Sequence, residues 1–404
     1  MPEPGTVIER GQIRVESGRV THAGAEVAAR HPGEPVHEFP GCVLIPGLVN
    51  CHTHLELTAL RGAGRGLPFA AWIQLVTREI AAHDREFWME SARQGARECL
   101  AGGVTSLADY STHGVSSAAI AETGMRGVVF QECFFPDPRA DLAAMLEGLG
   151  RGVRSLEELA GEDVRVGVSC HAAYNAARPA LKAVVQEFGD YPRSIHAAES
   201  PAEDRYIREG RGEIAEAHRE RGIPVEARRM SPVEYLDNAA YWRPGTLAVH
   251  LTQASRGDFA ILKARGVSAA FCPVSNAALG AGVAGIAAAR RAGLTCGFGT
   301  DSAISSERLD MFEEMRFALL ASRVRNDPLA PSDVFAMATA EGAAAAGIEG
   351  AGVLTPGARA DAVAVRLPRP PADSTVVDRL VMQASSGDVR AVYVAGRLEV
   401  SQIP

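Results

Sequence analysis

Residues 42–61 read CVLIPGLVNCHTHLELTALR, an apolar run, a Pro-Gly corner and a second apolar run that ends in His52-Thr53-His54. On an extended strand, residues i and i+2 point to the same side, so the two imidazoles can reach one point where the strand ends. Two nitrogens at one point can bind a metal ion. A bare His-x-His is equally compatible with two ordinary polar residues that close a strand, so later segments must decide.

Short apolar runs alternate with helix-like segments along the central part of the chain. The runs that predict strands are Leu44–His52, Gly103–Tyr110, Gly127–Phe134, Val164–His171, Arg193–Glu199, Thr246–Leu251, Val267–Pro273 and Leu294–Ser302. The helix-like segments between them are Phe87–Ala101, Ala140–Leu159, Ala180–Phe188, Glu203–Glu220, Asp258–Arg265 and Val283–Ala292. This alternation indicates an α/β fold in which eight parallel strands close into a (β/α)8 TIM-like barrel. A doubly wound open sheet is the alternative, but no Gly-x-Gly-x-x-Gly follows the first strand, so a dinucleotide site is not supported.

The two ends of the chain have a different pattern, in which apolar and polar residues alternate around glycine corners. This pattern is typical of short antiparallel strands. We therefore predict a small flanking β-sandwich domain built from residues 1–47 and 350–404, and a barrel domain over residues 48–349. The proline-rich stretch 368–371 is predicted to be a surface connection of the small domain. The long gap before the second strand leaves room for an extra helix around Trp72 at the barrel mouth.

Composition excludes several classes of partner. The 404 residues carry a net charge of -8, which predicts no electrostatic attraction to nucleic acid. No segment approaches the roughly 18 consecutive apolar residues of a membrane span. The seven cysteines are scattered and form no Cys-x-x-Cys motif, which indicates reduced thiols rather than a thiolate zinc site. We expect a cytoplasmic protein that acts on a small molecule.

Side chains that can bind a metal ion lie at the C-terminal ends of the predicted strands, where a parallel barrel gathers its chemistry. Five of the eleven histidines and one aspartate lie there: His52, His54, His171, His196, His250 and Asp301. A single histidine in such a place is more often a core residue or a hydrogen-bonding residue than a metal ligand. The convergence of five histidines with an aspartate favours a metal site.

Imidazole nitrogens with one carboxylate suit Zn²⁺ or Fe²⁺ better than Ca²⁺ or Mg²⁺, which prefer oxygen ligands. The predicted ligands are His52, His54, His196 and Asp301. A two-metal site of this general kind would need a bridging modified lysine at a strand end. The chain has two lysines, Lys182 and Lys263, and both fall in helix-like stretches. We therefore predict one divalent metal ion.

Five motifs together resemble those of the amidohydrolase superfamily. They are PGLVNCHTH at 46–54, HAAE at 196–199, CPVSN at 272–276, GTDS at 299–302 and the Gly-x-Leu-x-Pro-Gly-x-x-Ala-Asp pattern at 352–361. The set spans nearly the whole chain, and the second and third motifs resemble the deaminase and chlorohydrolase branch. The resemblance implies a metal-dependent hydrolase with the barrel and flanking domain predicted above, and we expect a homodimer.

The chemistry of each group, taken with this resemblance, suggests its role. Asp301, beside both metal and water, can accept a proton from the water, and Glu199 can carry a proton to a substrate ring nitrogen and then to the leaving amine. His250 can polarise the group at the attacked carbon. Substrate contacts are expected from His171, Glu56, Arg61 and Asn276. For Glu56, a hydrogen bond to a neighbouring loop is the alternative. The expected reaction is the hydrolytic displacement of ammonia from an aminated heterocycle.

The substrate is less sharply indicated than the reaction. The segments HTHLEL followed by Arg61-Gly62, and HAAES at 196–200, look most like aminodeoxyfutalosine deaminases of the menaquinone route, which act on an adenine nucleoside with a carboxylated aryl tail. Arg61, Arg65 and Arg205 are candidate partners for that carboxylate. Deaminases of methylthioadenosine, adenosylhomocysteine, guanine or cytosine share the same core, as do triazine chlorohydrolases, and these alternatives stay open.

Two hypotheses of other kinds also stay open. A cyclic-amide hydrolase would share the fold and the metal ion but would break a ring C–N bond. A scaffold that keeps the barrel without catalysis is the other. The small cytidine-type zinc deaminases are excluded: His54-Leu-Glu56 matches their His-x-Glu motif, but their Pro-Cys-x-x-Cys partner is missing.

Overall fold

Three sheets organise the part of the chain that the computed structural model describes, which is residues 1, 3, 5–26, 33, 35–367 and 375–402. The predicted surface connection at 368–371 lies outside these residues. The strands of the described residues are β1 (Gln12–Glu16), β2 (Arg19–Gly24), β3 (Cys42–Pro46), β4 (Leu48–Thr53), β5 (Val104–Ser111), β6 (Arg126–Glu132), β7 (Val164–Ala172), β8 (Arg193–Ala197), β9 (Leu247–His250), β10 (Ser268–Phe271), β11 (Cys296–Phe298), β12 (Ala362–Arg366), β13 (Val389–Val394) and β14 (Arg397–Ser401).

Helices fill the connections between these strands. They are α1 (Phe69–Ala82), α2 (Arg85–Ala101), α3 (Ser116–Glu122), α4 (Leu142–Leu159), α5 (Arg178–Glu187), α6 (Pro201–Glu209), α7 (Glu213–Glu220), α8 (Pro232–Asn238), α9 (Arg256–Ala264), α10 (Pro273–Ala278), α11 (Ile286–Arg291), α12 (Ala303–Ser306), α13 (Met311–Val324), α14 (Pro331–Met337), α15 (Ala340–Ala345) and α16 (Val376–Gln383). Short 3₁₀ turns cover Leu55–Leu60, Ala173–Asn175 and Ser386–Asp388. None of the helices in the described residues combines the length and the apolarity that a membrane span requires.

Strands β4 to β11 form one parallel sheet in chain order. The sheet closes on itself, because Thr53 and Asp301 pair as a parallel bridge and the N–H of Asp301 donates to the carbonyl of His52 at 2.9 Å. The side chains of Asn50 and Thr300 reinforce this closure with a hydrogen bond of 2.8 Å. The predicted (β/α)8 barrel is confirmed, and its closure brings the ends of the first and last strands together.

The barrel strands bury both of their faces, as parallel strands between helices do. One buried cluster fills the barrel interior, with Val49, Cys51, Ala108, Tyr110, Val128, Phe130, Leu247, Val249, Ala270 and Cys272 among its members. The opposite faces pack against the helices in a second, larger cluster. In α4, for example, Met145, Leu149, Val153 and Leu156 recur at helical spacing and are the buried residues of that helix.

The flanking sheets come from both ends of the chain, as predicted. Strands β3, β12, β13 and β14 form an antiparallel sheet in the order β14-β13-β12-β3, and β1 pairs with β2. The chain passes from this sheet into the barrel at Gly47, so the apolar run 44–52 is divided between two sheets. A Cβ at Gly47 would lie 1.9 Å from Oγ1 of Thr105, which explains why glycine stands at this crossing.

Two helical features refine the sequence prediction. The extra helix around Trp72 is α1, which packs with Trp88 of α2 and with Ile304 of α12 in one apolar cluster beside the barrel end. The helix predicted over 203–220 is wrong as a single element. It divides into α6 and α7, because Gly210 has φ 63° and Gly212 has φ 90°, and both values lie outside the helical region.

Candidate active site

The four predicted metal ligands meet at the C-terminal ends of the barrel strands. Nε2 of His52 lies 3.3 Å from Nε2 of His196 and 3.3 Å from Oδ1 of Asp301. Nε2 of His54 lies 3.6 Å from the same carboxylate oxygen. The rings of His250 and His196 stack with their centroids 5.3 Å apart. Distances of 3.3 to 3.6 Å therefore connect the four predicted ligands in one cluster, and His52, His54 and His196 have donor atoms within 4.8 Å of one another.

The separation of these donors fits one divalent metal ion. Nδ1 of His196 donates to the carbonyl of His171 at 2.6 Å, so its Nε2 carries a lone pair that faces Nε2 of His52. A lone pair on this nitrogen is free to bind a metal ion beside His52. Four ligands at about 2.0–2.1 Å from Zn²⁺ stand about 3.3–3.4 Å apart on a tetrahedron. Three of the six ligand pairs are separated by 3.3 to 3.6 Å, which agrees with this arrangement.

The described residues offer no comparable site for a second metal ion. Glu132, His171 and His196 form another cluster of possible ligands, but Nδ1 of His196 is already used by the carbonyl of His171. Lys182 lies in α5 and Lys263 in α9, so neither reaches a strand end. The site accordingly fits a single divalent metal ion such as Zn²⁺.

The carboxylate of Asp301 is oriented by two serine hydroxyls. Oγ of Ser275 donates to Oδ2 at 2.5 Å, and Oγ of Ser305 donates to the same oxygen at 3.2 Å. Oδ1 is left to face the histidines. Such outer hydrogen bonds fix the direction of a ligand and tune its basicity. Ser275 belongs to the CPVSN motif, so part of that motif acts through Asp301.

Unusual backbone conformations are concentrated at this end of the barrel. His171, Ala198, His250 and Asp301 have φ values of 49°, 50°, 74° and 58°. The left-handed region costs a residue with a side chain about 1–2 kcal/mol. Surrounding structure must over-determine such conformations, and they cluster at sites where side chains have to be aimed at a ligand. The four residues lie at or just beyond the C-terminal ends of β7, β8, β9 and β11.

Glu199 and His250 form a pair next to the metal-binding residues. Oε1 of Glu199 lies 3.6 Å from Nε2 of His250, and Glu199 is 6% exposed. Burial raises the pKa of Glu199 well above its usual range, and the negative charges of Asp301 and Glu203 raise it further. Burial lowers the pKa of His250 to about 4. A protonatable carboxylate therefore stands beside an imidazole that stays neutral.

His171 and Asn276, two of the residues predicted to contact the substrate, have different surroundings in the structure. Half-buried His171 lies with its ring 4.9 Å from that of His196, and its Nδ1 is 3.1 Å from the amide nitrogen of Asn175, so Nε2 can donate to a ligand. Asn276 is 1% exposed, and its amide nitrogen lies 3.0 Å from Nδ1 of His250. Asn276 thus orients His250 through its amide nitrogen, and its amide oxygen has no hydrogen-bond partner among the described residues. The substrate contact predicted for Asn276 stays a prediction.

The carboxylate of Glu56 contacts the loop that follows β5, which is the alternative left open for this residue. Its buried carboxylate accepts hydrogen bonds from the N–H groups of Thr112 and His113, both at 3.0 Å, and from Oγ of Ser111. Nδ1 of His113 lies 3.0 Å from the same carboxylate. These bonds support the loop contact that was the alternative for Glu56, and its substrate contact stays a prediction. Glu56 fixes the loop that follows β5.

Replacing Glu56 with glutamine should destabilise the protein. One carboxylate oxygen becomes an NH₂ group that faces N–H donors, and charge-assisted bonds of this kind contribute about 1.5–3 kcal/mol each. For a chain of this length we expect the melting temperature to fall by about 2–4 °C. Scanning calorimetry measures the change, with Glu86→Gln at an exposed position of α2 as the control. An unchanged melting temperature would contradict the role given to Glu56.

Arg61 is engaged by two neighbouring segments rather than by the metal-binding residues. Its guanidinium pairs with the carboxylate of Glu98 and donates to the carbonyl of Glu307. Arg65, which is exposed, forms a two-pronged ion pair with Glu307 at 2.8 and 2.9 Å. The substrate contact predicted for Arg61 stays a prediction. Both arginines tie the loop after residue 60 to the loop that follows Asp301.

Glu132 lies in the site, and sequence reasoning missed it. The buried Oε2 is 3.8 Å from Nδ1 of His54 and accepts from Oγ1 of Thr112 at 3.2 Å. Within the described residues, Oε1 has no hydrogen-bond partner. Burial raises the pKa of Glu132 to about 8. The sequence could have indicated Glu132, because it lies near the end of the predicted strand 127–134, and this strand runs to the same end of the barrel as the histidines.

An eight-stranded barrel whose strand ends gather three histidines and an aspartate defines the class of metal-dependent hydrolases. Within this class, the chain belongs to the amidohydrolase family, whose sequence model matches residues 43–398. The resemblance found in the five motifs is thereby confirmed. The protein is a hydrolase that acts on carbon–nitrogen bonds.

Named relatives cover almost the whole chain. A 5'-deoxyadenosine deaminase of Methanothermobacter thermautotrophicus is 31% identical over 97% of this chain and 89% of its own. A 5-methylthioadenosine/S-adenosylhomocysteine deaminase of Pelotomaculum thermopropionicum is 32% identical over 98% of this chain and 90% of its own. A crystal structure of an adenosine deaminase from Xanthomonas campestris with bound zinc has a TM-score of 0.81 and 26% identity, over 98% of this chain and 90% of that one. The expected homodimer and the expected absence of nucleic-acid partners stay predictions.

Proposed function

We propose that this protein is a hydrolytic deaminase that displaces ammonia from an adenine-type nucleoside. The observation that carries the proposal is the Glu199–His250 pair, 3.6 Å apart beside the metal-binding residues. Release of ammonia requires one proton at a ring nitrogen and one at the leaving amine. A buried carboxylate with a raised pKa can carry protons to both positions near neutral pH.

The metal-binding residues serve the first half of the proposed reaction. A divalent metal ion held by His52, His54, His196 and Asp301 supplies Lewis acidity that makes water a stronger nucleophile at neutral pH. Asp301 accepts a proton from the attacking water, because its Oδ2 is fixed by Ser275 while its Oδ1 faces the site. The fixed orientation means that the acceptor does not have to reorganise during the reaction.

Glu199 and His250 serve the second half. The oxygen of water bonds to the ring carbon that carries the amino group, and the bond from that carbon to the amino nitrogen breaks. Glu199 takes one water proton and gives it to the ring nitrogen. It then receives the proton that Asp301 accepted and gives it to the departing amine, which leaves as ammonia. Because the amide of Asn276 donates to Nδ1 of His250, its Nε2 carries the proton and stabilises negative charge that grows on the attacking oxygen.

The adenine-type substrate is supported by the relatives, which are named for 5'-deoxyadenosine, 5-methylthioadenosine and S-adenosylhomocysteine. Within this class we propose aminodeoxyfutalosine as the first substrate to test, because the segments HTHLEL and HAAES resemble the deaminases of that nucleoside. The three nucleosides of the named relatives are the second candidates. His171 is available to contact a ring nitrogen or a sugar oxygen through Nε2.

A substrate panel tests the proposal directly. Ammonia release and the ultraviolet change at the purine ring are measured with aminodeoxyfutalosine, 5'-deoxyadenosine, methylthioadenosine, adenosylhomocysteine and adenosine. Guanine, cytosine, a chlorinated triazine and a cyclic amide are included as competing classes. We expect at least one adenine nucleoside to exceed every other class in kcat/KM by about tenfold or more. Turnover of the cyclic amide alone would refute deamination.

A further inference from the structure

The peptide that carries Glu199 makes a sharp turn between β8 and α6. Ala198, the residue before it, has φ 50°, a conformation that residues with a side chain rarely adopt. The turn places the carboxylate of Glu199 next to His250 on the neighbouring strand β9. A strained turn of this kind holds its place only when other groups fix it.

Glu203 fixes the turn from its N–H side. Its side chain is fully buried, and Oε2 accepts a hydrogen bond from the N–H of Glu199 at 2.7 Å. The N–H groups of Ala198 and Ser200 also lie against this carboxylate. In an ordinary capping box the carboxylate of the third helical residue accepts from the N–H of the N-cap residue, which is Ser200 here. The bond to Glu199 extends this cap by one residue, into the turn.

Thr252 fixes the turn from its carbonyl side. Oγ1 of Thr252 donates to the carbonyl of Glu199, and the N–H of Gln253 donates to the carbonyl of Ala198 at 2.9 Å. Thr252 and Gln253 are two and three residues after His250, which ends β9. The loop that carries His250 therefore also holds the backbone of Glu199, and the two partners of the pair are fixed relative to each other.

We propose that Glu203 and Thr252 are positioning residues that hold Glu199 within reach of His250 and so set the rate of proton transfer. The inference rests on the deaminase function proposed above. Neither side chain has to contact the substrate, because both act on the backbone of Glu199. Displacement of a catalytic group by about 1 Å can cost on the order of 10²-fold in rate, so a loosened turn should lower kcat.

Substitutions at both positions test the role against matched controls. Glu203→Gln keeps the size of the side chain but weakens its acceptor capacity, and we expect kcat to fall by about tenfold or more with KM within about twofold. Glu209→Gln, an exposed position on the same helix, should leave kcat unchanged. Thr252→Val should lower kcat, whereas Thr252→Ser, which keeps the hydroxyl, should restore it. Zinc content and melting temperature are measured for each variant.

A double-mutant cycle separates positioning from general destabilisation. In a Glu199→Gln background, Glu203→Gln should change kcat by less than about twofold, because the group that it positions is already gone. An equal loss in both backgrounds, or an unchanged kcat of Glu203→Gln in the parent enzyme, would overturn the inference. If the parent releases no ammonia from any adenine nucleoside, it is the proposed function that fails. A crystal structure of Glu203→Gln then still tests the positioning, and a carboxylate of Glu199 that remains in place beside His250 would refute it.

Discussion

Asp301→Asn should lower kcat/KM by about 10³-fold or more and weaken zinc binding. Loss of metal Lewis acidity alone is worth several kcal/mol, and each 1.36 kcal/mol is about a factor of ten in rate. Asparagine also cannot accept a proton from water, so the variant loses two functions with one side chain. The two serine hydroxyls that donate to Oδ2 have no carboxylate left to orient. Steady-state kinetics and elemental analysis of the same preparation measure both effects.

The matched control for this prediction is Asp204→Asn on the surface of α6, where the carboxylate pairs with Arg208 at 2.9 Å. It should keep the parent activity and about one zinc ion per chain. Chelation followed by added zinc should restore the parent enzyme but not Asp301→Asn. Two metal ions per chain in the parent would contradict the single-metal site, and full activity after chelation would contradict a role for the metal ion.

The barrel could be predicted because its signals are local. Apolar runs of strand length alternate with amphipathic segments, and this alternation can be recognised in the sequence without knowing which elements contact each other. The boundaries of individual strands and helices depend on single residues, whose effect is harder to recognise in the sequence. Gly47 divides one apolar run between two sheets because only glycine fits against Thr105. The glycines at 210 and 212 interrupt a stretch whose polar pattern otherwise resembles one long helix.

The metal ligands could be predicted because the barrel fixes where they meet. Residues at the C-terminal ends of parallel barrel strands lie close to one another at the same end of the barrel, so their residue types indicate which chemistry the site can perform. Glu56 and Asn276 were assigned to the substrate for the same reason, since both follow strand ends. In the structure, Glu56 contacts a neighbouring loop and the amide nitrogen of Asn276 contacts His250. Side-chain direction after a strand end depends on turns such as those at His171 and Asp301, which sequence periodicity does not encode.

The site depends on a second layer of polar residues as much as on the first. Ser275 orients Asp301, Asn276 orients His250, and Glu203 holds the peptide of Glu199. Each of these residues is buried and forms its hydrogen bond within the barrel end. Networks of this kind are stronger in a low-dielectric interior and leave little freedom to the groups that they hold. The geometry of the catalytic pair is therefore a property of the barrel end rather than of any one loop.

Glu199→Gln should keep the zinc ion and the fold and lower kcat by about 10²-fold or more, the usual contribution of a positioned proton-transfer group. Glutamine has nearly the same size as glutamate, and Oε1 of Glu199 lies 3.6 Å from Nε2 of His250. The turn is held through the backbone of Glu199, so its contacts with Glu203 and Thr252 should remain in the variant. KM should change little, because the side chain acts on protons rather than on substrate binding. Stopped-flow absorbance at the purine band with parallel zinc analysis measures these quantities, and Glu209→Gln is again the control.

The pH dependence of the same variant gives the sharper test. Burial raises the pKa of Glu199 well above its usual range. The ionised carboxylate is the form that takes up a proton, so kcat in the parent enzyme should rise as the pH increases through this pKa and then level off. Glutamine does not titrate, and the rising limb should be absent from the small remaining activity of the variant. If the variant keeps the limb of the parent enzyme, another group carries the proton, and Glu132, whose buried carboxyl has a pKa of about 8, becomes the next residue to replace.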